Sequence, residues 1–355
     1  MQRIQNYGSF LQAYGLKKMI EELGGKVQFV DYHPGKTLLS PDGGTGIKRK
    51  AYKVFESLKG SAPLKEKVRF INYKRNYAAK YYPYLGIDES CNYSPEVDLL
   101  VIGSDEVFNC VQNNTNVGFA PELFGRRRRA KRLISYAASF GNTTEEKLDQ
   151  FGVKRTISKW LNEFDAISVR DRNSGELIKI MTGSEPEYNL DPVLMYEFKE
   201  IPDHLCEKNY LLLYGYSGRF SKEECRRIRA YANKRKLKIF CIGGIQECCD
   251  RFVDVNPFEV IAYFKHADCV VTDTFHGTIL SVITHRQFVS VVRDSGYGNA
   301  QKLTDLLERL KLSNRRLSSI SEIRKLEKKI DYTETDRIIT CERKKTREYL
   351  EQWLV

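Results

Sequence analysis

Residues 268–281 read Asp-Cys-Val-Val-Thr-Asp-Thr-Phe-His-Gly-Thr-Ile-Leu-Ser. An apolar run ends at Asp273, a polar turn follows, and a helix is expected from about Thr278. The same succession recurs along the chain. Strands are expected over Lys26–Tyr32, Val97–Ser104, Arg132–Ser139, Ala166–Arg170, Asn209–Tyr216, Leu237–Ile242, Cys269–Asp273 and Phe288–Val292. Helices are expected over Phe10–Leu23, Glu145–Asn162, Ser174–Met181, Lys222–Lys236, Pro257–Lys265, Thr278–Thr284 and Lys302–Leu310. Runs such as 98–102 and 210–213 are continuously apolar rather than alternating. That pattern suits strands covered on both faces, as in a parallel sheet between helices. The alternation reads as α/β.

A polar, proline-marked stretch at Glu197–Lys208 separates two such series. We therefore expect two Rossmann-like domains facing a cleft, 1–200 and 201–330, followed by an amphipathic helix within 331–355. The first domain has an oddity. Its Gly-containing loop, Asn6-Tyr7-Gly8-Ser9, arrives after only five residues. Either the opening strand is absent or the true start lies upstream.

Composition narrows the class. With 355 residues, 41% hydrophobic and 29% charged, the chain is not a disordered one. No apolar run approaches the ~20 residues of a membrane-spanning helix. The nine cysteines are odd in number and form no Cys-x-x-Cys pair, so no zinc ribbon or redox motif is indicated. Free thiols within apolar runs (Cys241, Cys269) suit a reducing cytosol, and no cleavable leader stands at the start. The five histidines lack ligand spacing, so no metal site is expected. The net charge of +12 is concentrated in two places. Residues 48–80 hold eleven Lys/Arg against Glu56 and Glu66, and residues 126–132 hold six.

Four strand-to-helix turns carry candidate chemistry. Ligands of open α/β sheets bind outside the carboxyl ends of the strands. His276 lies at such an end, with Gly277 permitting close backbone approach and the helix start at Thr278 offering free N–H groups to an anion. Arg170 ends another strand, where its guanidinium fork suits a carboxylate or phosphate. The plainer readings are a turn-capping His and a surface Arg paired with Asp171 or Glu176. Ser104-Asp105 and Asn6-Tyr7-Gly8 occupy the other two turns, which also read as ordinary connections. Neither the Gly-x4-Gly-Lys-Ser/Thr loop nor Gly-x-Gly-x-x-Gly occurs.

Taken in order, these segments resemble the polysaccharide pyruvyl transferase family. The resemblance rests on Asn6-Tyr7-Gly8 with Leu11-Gln12-Ala13-Tyr14, on 102–109 (Ile-Gly-Ser-Asp-Glu-Val-Phe-Asn), on 135–141 (Ser-Tyr-Ala-Ala-Ser-Phe-Gly), on Ile167–Asp171, on Leu190–Leu194 and on Thr272–Thr278. It implies a fold like that of B-type glycosyltransferases, with a C-terminal helix crossing back to the first domain. It implies transfer of pyruvyl from phosphoenolpyruvate to two sugar hydroxyls, giving a cyclic ketal and phosphate with no metal or nucleotide cofactor. It assigns His276 and Arg170 to catalysis and the donor site, with Lys302 as the basic residue after the next strand and Gly277 and Thr278 beside them. Asn6, Gly8, Ser104 and Asp105 become acceptor-side candidates. Glu106 and Phe108 depart from the Gln and Trp common in the family, which shifts acceptor contacts without touching the donor site.

The implied partners are phosphoenolpyruvate and a glycan or lipid-linked sugar, met in the cytoplasm or at the inner face of the membrane. Segment 48–80 then reads as a solvated helical excursion or as a platform for an anionic acceptor at a membrane surface; 126–129 reads as a surface loop. The rival enzyme is a B-type glycosyltransferase with a nucleotide-sugar donor. A second rival is a nucleic-acid-binding protein, read from aromatics (Tyr52, Phe55, Phe70, Tyr73, Tyr77, Tyr81, Tyr82, Tyr84) interleaved with Lys/Arg. A third is a relative that kept the fold and lost the transfer.

Overall fold

The structure is a computed structural model describing residues 1–39, 62–112, 114–202, 207–293 and 300–354. The first series comprises α1 (Tyr7–Glu22), α2 (Leu64–Leu85), β1 (Glu96–Gly103), β2 (Arg129–Tyr136), α3 (Glu145–Gln150), α4 (Lys154–Leu161), β3 (Ser168–Val169), α5 (Arg172–Thr182), β4 (Glu187–Tyr188) and α6 (Pro192–Met195). β1 and β2 run parallel, and so do β3 and β4. Single bridges from Ile134 to Ala166 and from Ala138 to Val169 link the two ladders.

The second series comprises β5 (Tyr210–Tyr214), α7 (Lys222–Lys234), β6 (Lys238–Ile242), β7 (Arg251–Phe252), α8 (Pro257–His266), β8 (Cys269–Thr272), α9 (Phe275–Ile283), β9 (Phe288–Val291), α10 (Ala300–Arg309) and β10 (Arg316–Leu317). Its strands form one parallel sheet in the order β10-β9-β8-β5-β6-β7. The continuous apolar runs thus became parallel strands, and the fold is α/β. The chain reverses direction across the sheet between β5 and β8, where ligands of such sheets settle. α11 (Thr333–Leu354) returns to the first series. Its Tyr349 Oη donates to Ser135 O at 2.7 Å, and Leu350 joins Ile20, Ile134 and Tyr136 in one apolar cluster.

Several boundaries differ from expectation, each for a visible reason. The long helix expected over 145–162 divides at Gly152, whose φ of +66° no helix accommodates. β2 begins at Arg129 rather than Arg132, and the arginines before it are paired. Arg126 and Arg128 meet Glu163, and Arg127 meets Glu122. α9 begins at Phe275, because Thr274 rather than Gly277 caps it: Thr274 Oγ1 accepts from Gly277 N at 2.9 Å.

The strand expected at Lys26–Tyr32 does not form a ladder. Among the described residues it makes one bridge, Asp31 to Tyr93. A slot of about 470 Å³ lies between residues 25–32 and β1. Among the described residues β1 pairs with β2 along one edge only, and its apolar centre, Leu99-Leu100-Val101, stays half-buried. The slot holds the two edges apart, and among the described residues no ladder joins them.

The basic segment also changes meaning. Residues 48–61 lie outside the described residues. From Leu64 the chain is α2, and it is no solvated excursion. Tyr73, Tyr77 and Tyr81, four apart, form a buried stripe whose rings lie 5.3, 6.0 and 6.3 Å from that of Tyr7. Glu66 Oε2 accepts from Phe252 N at 2.7 Å, tying α2 to the second sheet. Tyr82 is buried too, so these four rings are unavailable for base stacking; Tyr52 and Phe55 lie outside the described residues. The largest core joins α1, α2 and α6 to the six-stranded sheet. No helix among the described residues is long and apolar enough to cross a membrane.

Candidate active site

The turns singled out in the sequence come together at the amino end of α1. Asn6 caps that helix, its Oδ1 accepting from Ser9 N at 2.7 Å. Gly8 sits against the imidazole of His276, where a Cβ would fall 2.3 Å from Nδ1. A side chain there would expel the ring, so the glycine is kept for close approach. Ser9 Oγ donates to Asp105 Oδ2 at 3.1 Å, and Gln12 Nε2 donates to Ser104 Oγ at 2.9 Å.

Ser104 and Asp105 follow β1 in the left-handed region, with φ of +37° and +72°. Non-glycine residues seldom adopt it, and such strain concentrates at functional turns. Here the turn aims both side chains at α1 and at Arg170.

Arg170 is 2% exposed and pairs with neither surface acid considered from sequence. Its Nη1 donates to Asp191 Oδ2 at 2.9 Å, and Nη2 lies 3.5 Å from Asp105 Oδ1. The guanidinium carbon stands 4.5 Å from the centre of the Phe275 ring. Burial works against the charge, but Asp191 and Asp105 more than restore it and raise the Arg170 pKa.

His276, in the first turn of α9, lies with Nε2 3.8 Å from Asp191 Oδ2. Burial pushes its pKa below the usual value, and Arg170 and Lys302 add to that; Asp191 and Asp105 oppose it without prevailing. The imidazole is therefore neutral at neutral pH. Lys302 reaches in from α10, pairing with Glu106 and lying 6.0 Å from the Phe275 ring centre. Burial alone would raise the Glu106 carboxyl, yet Lys302 holds it below the ordinary range. Asp105 is likewise held low, with Arg170, His276 and Lys302 outweighing burial.

Two expected contributors stand elsewhere. A Cβ on Gly277 would meet Thr272 Oγ1 at 2.1 Å, so this glycine serves packing against β8. Thr278 is fully buried, its N–H bonded to Thr274 O and its hydroxyl paired with Ser290. The free N–H groups expected at Thr278 are thus consumed inside the helix. The two sequence departures separate as well. Phe108 stacks on Phe124 in the core, whereas Glu106 grips Lys302.

Sequence reading passed over Asp191, the hub of the site. One of its oxygens caps α6, accepting from Val193 N at 3.0 Å. The other receives Arg170 and Gln12 and faces His276. Asp-Pro ahead of a short helix signals only the cap; the second oxygen is invisible until the fold assembles. Among the described residues no group of three His, Cys, Asp or Glu has the arrangement of a metal site. Arg170, Asp191, Phe275 and Lys302 line a cavity of about 910 Å³. Arg170 Nε at its inner end, and His276 Nε2 behind Asp191, are buried without a hydrogen-bond partner.

Comparison with known proteins adds three findings. The sequence pattern of the family described as polysaccharide pyruvyl transferase matches residues 6–295. No curated protein matches the chain. Similar solved structures include a mutant O-GlcNAc transferase of Thermobaculum terrenum, 13% identical over 73% of this chain and 48% of that one, with a TM-score of 0.36. They also include UGT89C1 of Arabidopsis thaliana, 8% identical over 66% and 75%, TM-score 0.37. A third is a UDP-glucosyltransferase from Polygonum tinctorium, 10% identical over 97% and 90%, TM-score 0.39. The chain spans about half the length of the first of these.

Proposed function

The chain belongs to the polysaccharide pyruvyl transferase family, and we propose that it transfers pyruvyl from phosphoenolpyruvate to two hydroxyls of a glycan or lipid-linked sugar. One observation carries this reading. Arg170 Nε and His276 Nε2 are buried and unpartnered on either side of Asp191, beside Lys302. Buried polar atoms without partners are uncommon and mark places a ligand completes.

In this reading Arg170 and Lys302 hold the carboxylate and phosphate of the donor, and no metal or nucleotide takes part. Protonation of the vinyl carbon makes C2 an oxocarbenium-like electrophile. The first sugar hydroxyl adds there, giving up its proton as the vinyl carbon gains one. The second hydroxyl then displaces phosphate, which leaves with that hydroxyl's proton, and the ketal closes. His276, kept neutral by burial, is the base that receives a hydroxyl proton. Asp191 holds Arg170 in place and stabilises the imidazolium as it forms.

The acceptor meets the enzyme in the cytoplasm or at the inner face of the membrane. In support, α2 exposes Leu64 (78%), Val68 (56%) and Ile71 beside Lys65 and Arg75. An apolar stripe flanked by cations suits an anionic interface. Vesicles containing phosphatidylglycerol should retain the protein and lose Val68→Glu.

Thermal-shift titration separates the donors. Phosphoenolpyruvate should raise the unfolding midpoint, and Arg170→Ala should abolish the rise. A rise with UDP-glucose and none with phosphoenolpyruvate would reverse the assignment.

A further inference from the structure

The cavity is larger than its proposed donor. At about 910 Å³ it stands near the top of the ~300–1,000 Å³ range of small-molecule sites, and phosphoenolpyruvate occupies a fraction of it. The buried end holds Arg170, Asp191 and Lys302. The open end is framed by Tyr188, Arg172 and Arg309.

Among the described residues Tyr188 is the one aromatic side chain at that mouth, and it is held in a definite place. Its backbone pairs with Val169, the residue before Arg170. Its carbonyl accepts from Arg309 Nη2 at 3.3 Å. Its hydroxyl lies over Gly175 of α5, where a Cβ would fall 1.7 Å away. The ring therefore rests on a bare patch of helix backbone, yet Tyr188 remains 39% exposed. Gly175 is costly within a helix, by about 1 kcal/mol relative to Ala, and no positive φ requires it. Its evident use is to let the ring lie flat.

We propose that Tyr188 is the platform for the acceptor pyranose. The face of a pyranose presents C–H groups, which lie on an aromatic ring, while its hydroxyl edge stays free for chemistry. A sugar stacked on Tyr188 directs that edge along the cavity towards Asp191 and Lys302. The inference rests on the pyruvyl-transfer reading of the site, and it adds which residue selects a sugar ring rather than an open-chain polyol.

Saturation-transfer NMR tests it with methyl α- and β-pyranosides of glucose, galactose and mannose, in the presence of phosphoenolpyruvate. Wild type should show transfer to ring C–H protons of at least one pyranoside and none to sorbitol. Tyr188→Ala should weaken binding roughly tenfold, and Tyr188→Phe should keep it within about threefold, since the face persists. Gly175→Ala should weaken binding as well, by pushing the ring aside, while its circular dichroism stays that of wild type. In each variant the thermal shift given by phosphoenolpyruvate should be retained. Unchanged pyranoside binding in Tyr188→Ala overturns the platform, and so does absence of transfer to every pyranoside. Loss of the phosphoenolpyruvate shift in wild type strikes instead at the donor assignment, and pyranoside binding is then scored by itself.

Discussion

Asp191 and Arg170 form a buried ion pair at the inner end of the cavity: they meet at 2.9 Å, with side chains 0% and 2% exposed. A buried ion pair is seldom a large source of stability in itself, but removing one partner strands the other charge. Asp191→Ala should therefore destabilise the protein by about 3 kcal/mol, towards the lower end of that penalty because Asp105 remains 3.5 Å from the guanidinium. Chemical denaturation measures it. A loss under ~1 kcal/mol would mean that water reaches Arg170 readily.

Gly8→Ala tests the contact between α1 and the imidazole. Ala favours a helix, but overpacking against the ring should cost about 1–3 kcal/mol. The new methyl group displaces a ring whose Nδ1 would lie 2.3 Å away. Turnover should fall about a hundredfold, the scale of an ångström-sized misplacement. Steady-state kinetics beside a melting curve distinguishes this from unfolding.

The pH dependence follows from the neutral imidazole. A base works deprotonated, so activity falls as pH drops through its pKa. His276 is lowered from ~6.5. The acidic limb of kcat/KM should consequently lie below 6.5, and His276→Ala should cost ~10²–10⁴ in rate. An acidic limb above 6.5 would count against burial controlling this residue.

Glu106→Gln addresses the competition for Lys302. The wild-type carboxylate engages the ammonium group and is itself held ionised. The neutral amide removes a charge that repels an anionic donor. The KM for phosphoenolpyruvate should fall severalfold, on the order of 1 kcal/mol for one charge at this range and partial burial. A rise would show that Glu106 positions Lys302 rather than restraining it.

Much of this site can be read before any coordinates, because α/β topology gathers strand ends. Asp105, Arg170 and His276 meet since each follows the carboxyl end of a parallel strand, though of three separate sheets, and Gly8 opens α1 beside them. What escapes such reading is whatever depends on a second role for one atom group. Asp191-Pro192 reads as a plain turn; in the fold one carboxylate oxygen caps α6, and only the other reaches Arg170. Tyr73, Tyr77 and Tyr81 carry a plain four-residue period, yet the surrounding Lys and Arg draw attention to charge instead of to the buried face. Lys26–Tyr32 has strand-forming residues, but a slot separates it from β1, and among the described residues only Asp31 makes a bridge.

The open side of β1 bears on how the protein behaves in a tube. Among the described residues its outward amides and carbonyls have no ladder partner, beside a half-covered Leu99-Leu100-Val101. Such an edge recruits extended chains, including those of other copies as they fold. Glu96 and Asp98 stand at its entrance, each in an exposed pair with Arg129 or Lys131. Charges of this kind deter strand addition, and salt screens them over a Debye length of ~10 Å at 0.1 M. Concentrated stocks will therefore keep best at low ionic strength, and any clouding on adding salt should grow steeply with protein concentration.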